Sequence, residues 1–130
     1  MKKGATDLVA EAKSQIENLS PDQVAEELKS GDATLIDVRE PEEAQATGSI
    51  AGAVNAPRGM LEFYADPSQP YHKEEFDPER RTILHCASGG RSALGAARLK
   101  EMGYTDVAHL DGGMKAWLEA GQPTEGAAKA

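Results

Sequence analysis

The sequence predicts an α/β layer fold with a mostly parallel sheet, and three observations predict it. Short apolar runs of strand length occur at residues 34–38, 82–85 and 107–110. Stretches with helical periodicity alternate with them. Pro21, Gly31, Gly103, Gly112-Gly113 and Gly121 separate the two kinds of segment at the expected helix starts and stops.

Each element has its own signal. Leu8, Val9, Ala12 and Ile16 recur at helical spacing, so residues 5–18 read as an amphipathic helix. Ser20-Pro21 supplies an N-cap and a first-turn proline for the next helix, Val24 and Leu28 its buried stripe, and Gly31 its stop. The run 34–38 reads as a buried strand. Residues 42–47 can form a helical turn or two, and 53–55 a very short strand between Gly52 and Pro57. Residues 60–64 suggest a short helix. Residues 66–81 are polar, hold Pro67, Pro70 and Pro78, and read as an exposed loop, long for so small a domain. After strand 82–85 comes a glycine-bearing turn at 86–90. The helix over 91–102 then follows, with Leu94, Ala97 and Leu99 turned to the core. Strand 107–110 and a last helix over 114–120 complete the pattern. Residues 124–130 read as a frayed tail.

Composition bounds the function. A chain of 130 residues fits one domain. A net charge of -8 argues against nucleic acid and against an anionic membrane surface. The single cysteine permits no intramolecular disulfide, residues 4–14 form no signal-peptide apolar region, and no stretch is apolar enough to span a membrane. The cytoplasm is therefore the expected location.

The chemistry concentrates at Cys86. A buried strand runs into it, a short loop of Ala87, Ser88, Gly89 and Gly90 follows, and a helix begins at Arg91-Ser92. Ligand sites of open α/β sheets lie at such strand ends. Backbone N–H groups of residues 87–91 can curl around one point as an anion nest. The two glycines permit positive φ. The helix points its positive end at the same place, and Arg91 adds a fixed charge. All of these favour thiolate over thiol, and the same cradle suits a persulfide anion. Ser88 and Ser92 can donate hydrogen bonds to a bound anion, and Ser92 can equally cap the helix. The bland alternative is a small buried hydrophobe after a strand.

Four segments in order resemble the single-domain rhodanese-like sulfurtransferases: Cys86-Ala-Ser-Gly-Gly-Arg91-Ser92, Asp37-Val-Arg39-Glu40-Pro41, Gly48-Ser-Ile50-Ala-Gly52-Ala53-Val-Asn55 and Asp111-Gly112-Gly113-Met-Lys-Ala-Trp117. The resemblance covers about residues 18–123, leaving 1–17 as an N-terminal helical extension. It implies three layers around a mostly parallel sheet. It also implies transfer of sulfane sulfur from a donor such as thiosulfate, through a persulfide on Cys86, to cyanide or a thiol. Residues 87–92 become the substrate cradle. No metal or organic cofactor is implied. A thioredoxin-like or dedicated acceptor protein is among the partners it leaves open, as is a homodimer paired through the N-terminal helix. Ser49 and Ala51 depart from the family's usual His and Pro, at positions that shape a turn.

A cysteine phosphatase or arsenate reductase is the runner-up enzyme. Its loop commonly places five residues between Cys and Arg, against four here, and it needs an acid for the leaving group. A non-catalytic module of the same fold is the third reading. Asp37 and Arg39 sit where they either reach the site or form a buried pair tying loops together. Strand alternation turns His85 away from Cys86, as a packed core residue. His72 reads as solvated, His109 as a strand residue, Trp117 as packing. Met60, Leu61, Phe63 and Tyr64 form an apolar cluster that lines the pocket mouth or lids the core.

Overall fold

The computed structural model describes residues 1–126 and shows a five-stranded sheet with helices on both faces. The strands are β1 (Glu17–Leu19), β2 (Thr34–Asp37), β3 (Val54–Asn55), β4 (Thr82–His85) and β5 (Val107–Leu110), in the order β1-β5-β4-β2-β3. Every neighbouring pair is parallel. The helices are α1 (Ala5–Lys13), α2 (Pro21–Ser30), α3 (Pro41–Thr47), α4 (Leu61–Ala65), α5 (Gly90–Glu101) and α6 (Gly113–Glu119), with a 3₁₀ turn over Arg58–Met60.

The sheet has a core on each face, because strand side chains alternate. Ile36, Val38, Leu84 and Cys86 face α4 and α5, where Leu61, Ala65, Ala96 and Leu99 meet them. Leu35, Ile83, Ala108 and Leu110 face α2 and α6, against Val24, Met114 and Trp117. Each fully buried large apolar side chain contributes about 1.5–3 kcal/mol over its exposed state. Gly95 lets α5 approach the sheet: a Cβ there would come within 2.9 Å of Leu61 and 3.0 Å of Leu84.

Four local expectations change. The helix expected over 5–18 ends at Lys13, and Glu17–Leu19 instead extends to pair with β5, whose outer backbone groups would otherwise lack partners. Asn18 secures the junction by donating its amide to the carbonyls of Lys13 and Ile16. α5 buries Ser92, Ala93, Gly95, Ala96 and Leu99, while Leu94 and Ala97 are only half-buried and lie beside Leu8 and Ala12 of α1. The extension thus packs on α5 of its own chain. The loop 66–81 is not wholly exposed: Phe76 is buried in the core, and the half-buried His72 meets the Tyr64 carbonyl through Nδ1 at 2.9 Å. Of the apolar cluster before that loop, Leu61 is buried and Phe63 is 45% exposed, edge-on to Tyr71. Of the residues read as a tail, Glu125 exchanges backbone hydrogen bonds with Ser49, and 127–130 lie outside the described residues.

Candidate functional site

Cys86 follows β4 at the carboxyl end of the sheet, and its residue is 1% exposed. Its Sγ accepts two backbone N–H groups, from Gly89 at 3.1 Å and Ser92 at 3.4 Å. Ser92 lies in the first turn of α5, so the sulfur sits at the positive end of a twelve-residue helix. Gly89 alone of the two loop glycines takes positive φ, at 109°. Gly90 is already the first residue of α5. The loop is clamped from the other side. Met114 and Lys115 donate their N–H groups to the Cys86 and Ala87 carbonyls at 2.8 and 3.0 Å. Gly113 (φ 60°) presses so close that a Cβ would fall 2.6 Å from the Cys86 oxygen. The Gly112-Gly113 pair of the sequence is thus what lets β5 and α6 close over the cysteine loop.

The two arginines differ. Arg39 is 1% exposed. Its Nε and one terminal nitrogen donate to the Asp37 carboxylate at 3.0 and 2.8 Å. The rest of the guanidinium donates to Thr47 Oγ1 at 2.8 Å and the Gly48 carbonyl at 2.9 Å. The pair ties the end of β2 to α3. Asp37 accepts from Arg39 through both carboxylate oxygens. Arg91 instead reaches across the site mouth and donates through both terminal nitrogens to Glu43, at 2.7 and 2.8 Å. That hydrogen-bonded guanidinium holds the Glu43 carboxyl down at about 2, against a smaller opposing effect of burial. Both side chains remain over a third exposed. Of the remaining loop residues, Ser88 is exposed and Ala87 half-buried.

Two histidines flank the cysteine on opposite faces. His85, on the Asp37 face, is wholly buried and has no hydrogen-bond partner among the described residues; its Nε2 lies 3.8 Å from Asp37 Oδ2. Burial pushes its pKa down. His109 is on the Cys86 face. Its Nδ1 meets Ser92 Oγ at 2.9 Å and its Nε2 meets Asn18 Oδ1 at 2.8 Å, while Ser92 Oγ lies 3.5 Å from Cys86 Sγ. Glu43, His109 and Asn18 are the site neighbours that sequence reasoning passed over. Strand parity puts His109 two residues from Val107 and on one face with it, a usable signal. Glu43 and Asn18 carried none without the tertiary arrangement. Among the described residues, no group of three or more His, Cys, Asp or Glu side chains is placed to hold a metal ion, and no helix is long and apolar enough to cross a membrane.

Comparison with known proteins supplies the context. A sulfurtransferase from Allochromatium vinosum is 34% identical over 92 residues, which span 71% of this chain and 78% of that protein. Thiosulfate sulfurtransferase GlpE from Ectopseudomonas mendocina is 32% identical over 104 residues, covering 80% and 86%. In some longer relatives the matching segment is 25% of the protein. A solved structure from Rhodopseudomonas palustris, described as a protein of unknown function and possible tyrosine phosphatase, superposes with a TM-score of 0.91 at 40% identity over 96% of both chains. Residues 20–120 match the Rhodanese-like domain, and with the parallel sheet and the cysteine loop at its carboxyl end, the chain belongs to the rhodanese-like sulfurtransferase family.

Proposed function

We propose that this protein carries sulfane sulfur on Cys86 as a persulfide. The observation that supports the reading most is the pair of backbone N–H groups, from Gly89 and Ser92, aimed at Sγ from the start of α5. Donors fixed in this way stabilise a sulfur anion without reorganising. In the first step the Cys86 thiolate attacks the outer sulfur of thiosulfate. A Cys–S–S⁻ bond forms, the S–S bond of thiosulfate breaks, and sulfite leaves with the electron pair. In the second step cyanide or a thiolate takes the terminal sulfur and restores the Cys86 thiolate. Ala87, Ser88, Gly89, Gly90, Arg91 and Ser92 form the cradle. Asp37 and Arg39 support it indirectly, by fixing the end of β2. The catalytic unit is residues 18–123, working in the cytoplasm. A thiol acceptor, small or borne on a partner protein, is the natural counterpart of cyanide.

The test is intact mass of the purified protein after thiosulfate and then cyanide. The expected result is a gain of one sulfur atom, lost on cyanide, with thiocyanate released, and none of it in Cys86→Ser. Loading that survives in Cys86→Ser would sink the mechanism.

The Rhodopseudomonas palustris likeness raises a second reading, a cysteine phosphatase. Four residues separate Cys86 from Arg91, and the Arg91 guanidinium is bonded to Glu43 rather than turned over the loop. Both features weigh towards the sulfur reading. Hydrolysis of an aryl phosphate by the wild type, lost in Cys86→Ser, would reverse that preference.

A further inference from the structure

Asn18 fixes the direction of the side-chain hydrogen bonds that run from β1 through His109 to Ser92. Its amide nitrogen donates to the Lys13 carbonyl at 2.9 Å and the Ile16 carbonyl at 3.2 Å, so Oδ1 is the atom that faces His109 Nε2 at 2.8 Å. A carbonyl oxygen only accepts, and Nε2 therefore carries a proton. In a neutral ring Nδ1 is then bare and must accept, and the hydroxyl 2.9 Å from it is Ser92 Oγ. A hydroxyl has one proton. The Gly89 carbonyl, at 3.3 Å, is the longer alternative for it. With that proton on the His109 side, Ser92 turns only lone pairs towards Cys86 Sγ, an arrangement that accepts from a thiol.

We infer that Ser92, His109 and Asn18 form a proton path for Cys86: as the sulfur ionises, its proton passes to Ser92 Oγ while the Ser92 proton passes to His109 Nδ1. One S–H and one O–H bond break, one O–H and one N–H bond form, and no co-reactant is needed. The products are a thiolate and an imidazolium. The Cys86–Ser92 and Ser92–His109 hydrogen bonds keep their partners and reverse their sense, so that Ser92 now donates to the sulfur anion, while His109 Nε2 still donates to Asn18 Oδ1. Ser92 touches the reacting atom; His109 and Asn18 are positioning residues that act through it. This rests on the reading of Cys86 as the reacting sulfur.

The surroundings suit a proton held only as half of a pair. His109 is faced by Cys86 after β4, by the uncharged Ser92 of α5 and Asn18 of β1, and by Asp111, whose Oδ1 lies 3.8 Å from Nε2. Asp111 is itself paired with Lys13 of α1 at 2.8 Å. Burial pushes the His109 pKa down to about 4, only partly countered by Asp111. The ring therefore takes no proton from neutral solvent unaided, and the nearby thiolate is what stabilises the imidazolium.

Nitrogen NMR of histidine-labelled protein, recorded beside the ultraviolet absorbance of the thiolate across pH, tests the path; His109→Gln assigns the signals. His109 Nδ1 is expected to be protonated where the thiolate first appears, and bare over the same range in Cys86→Ser and in Ser92→Ala. Alkylation of Cys86 by iodoacetamide at neutral pH is expected to slow about tenfold in Ser92→Ala, the effect of one lost hydrogen bond to a charged atom. A bare Nδ1 at every pH where thiolate is present would overturn the inference. So would an Nδ1 still protonated in Ser92→Ala, or an unchanged alkylation rate. Neither readout uses sulfur transfer. Persulfide loading with an uncoupled His109 removes this path alone, and coupling without loading removes the sulfur-carrier reading alone.

Discussion

Two arginine–carboxylate pairs lie within one short stretch of this fold, and burial sets them apart. Asp37 and Arg39 are 3% and 1% exposed at their side chains; Glu43 and Arg91 are 35% and 37% exposed. The chemistry is the same and the distances match. In the first pair, each charge is out of water, and the remaining guanidinium N–H groups are taken by Thr47 Oγ1 and the carbonyls of Gly48 and Glu43. Such a pair has no state to exchange into, since losing one partner strands the other. In the second pair, water can take the place of either partner at little cost. One holds the end of β2, and the other joins α3 to the start of α5 where solvent reaches both charges.

The comparison breaks most visibly at Asp37. Asp37→Ala leaves Arg39 charged, buried and half unpaired, and is expected to destabilise the protein by about 3–5 kcal/mol in urea unfolding. A loss under about 1 kcal/mol would show that Arg39 finds water there. Acid titration of stability ranks next. The unfolded chain protonates its histidines near 6.5, whereas folded His109 does so only at about 4, so stability should fall as pH drops through that interval. Glu43 behaves separately: its folded value of about 2 lies below the ordinary 4.5, so its contribution is complete above 4.5 and is lost as pH falls towards 2. His109→Gln should lessen the first decline, which the buried His85 shares, and Glu43→Gln should lessen the second, which Asp66 and Asp111 share. Equilibrium unfolding at a series of pH values checks both.

Smaller effects sharpen the contrast. Thr47→Val removes one acceptor from the buried guanidinium and should cost about 1–2 kcal/mol, read by the unfolding midpoint. Glu43→Gln should change stability by less than about 1 kcal/mol. Its signature is instead in binding: with Arg91 released, the thiosulfate KM should fall severalfold. A KM that rises would mean that Glu43 orients Arg91 for the donor rather than competing with it.

The sequence made much of this legible. The strands at 34–38, 82–85 and 107–110 were plain because buried strands of a parallel sheet are continuous apolar runs. The loop from Cys86 to Ser92 was plain because glycine and a helix start follow a strand there. What escaped reading depended on partners far along the chain. Glu17–Leu19 has no strand composition of its own and extends because β5 offers an unpaired edge. Gly89 and Gly90 look equivalent in the sequence, and only the observed start of α5 at Gly90 shows that the first alone takes positive φ.

Local chemistry by itself determined the fold class, the position of the cysteine loop and the helix dipole behind it, because period, punctuation and residue type act over a few neighbours. Tertiary structure alone decided which arginine is sealed and which lies at the mouth, that Glu43 answers Arg91 across 48 residues, and that Asn18 meets His109 across 91. Burial and hydrogen-bond direction are properties of what packs around a group, and no spacing along the chain encodes them.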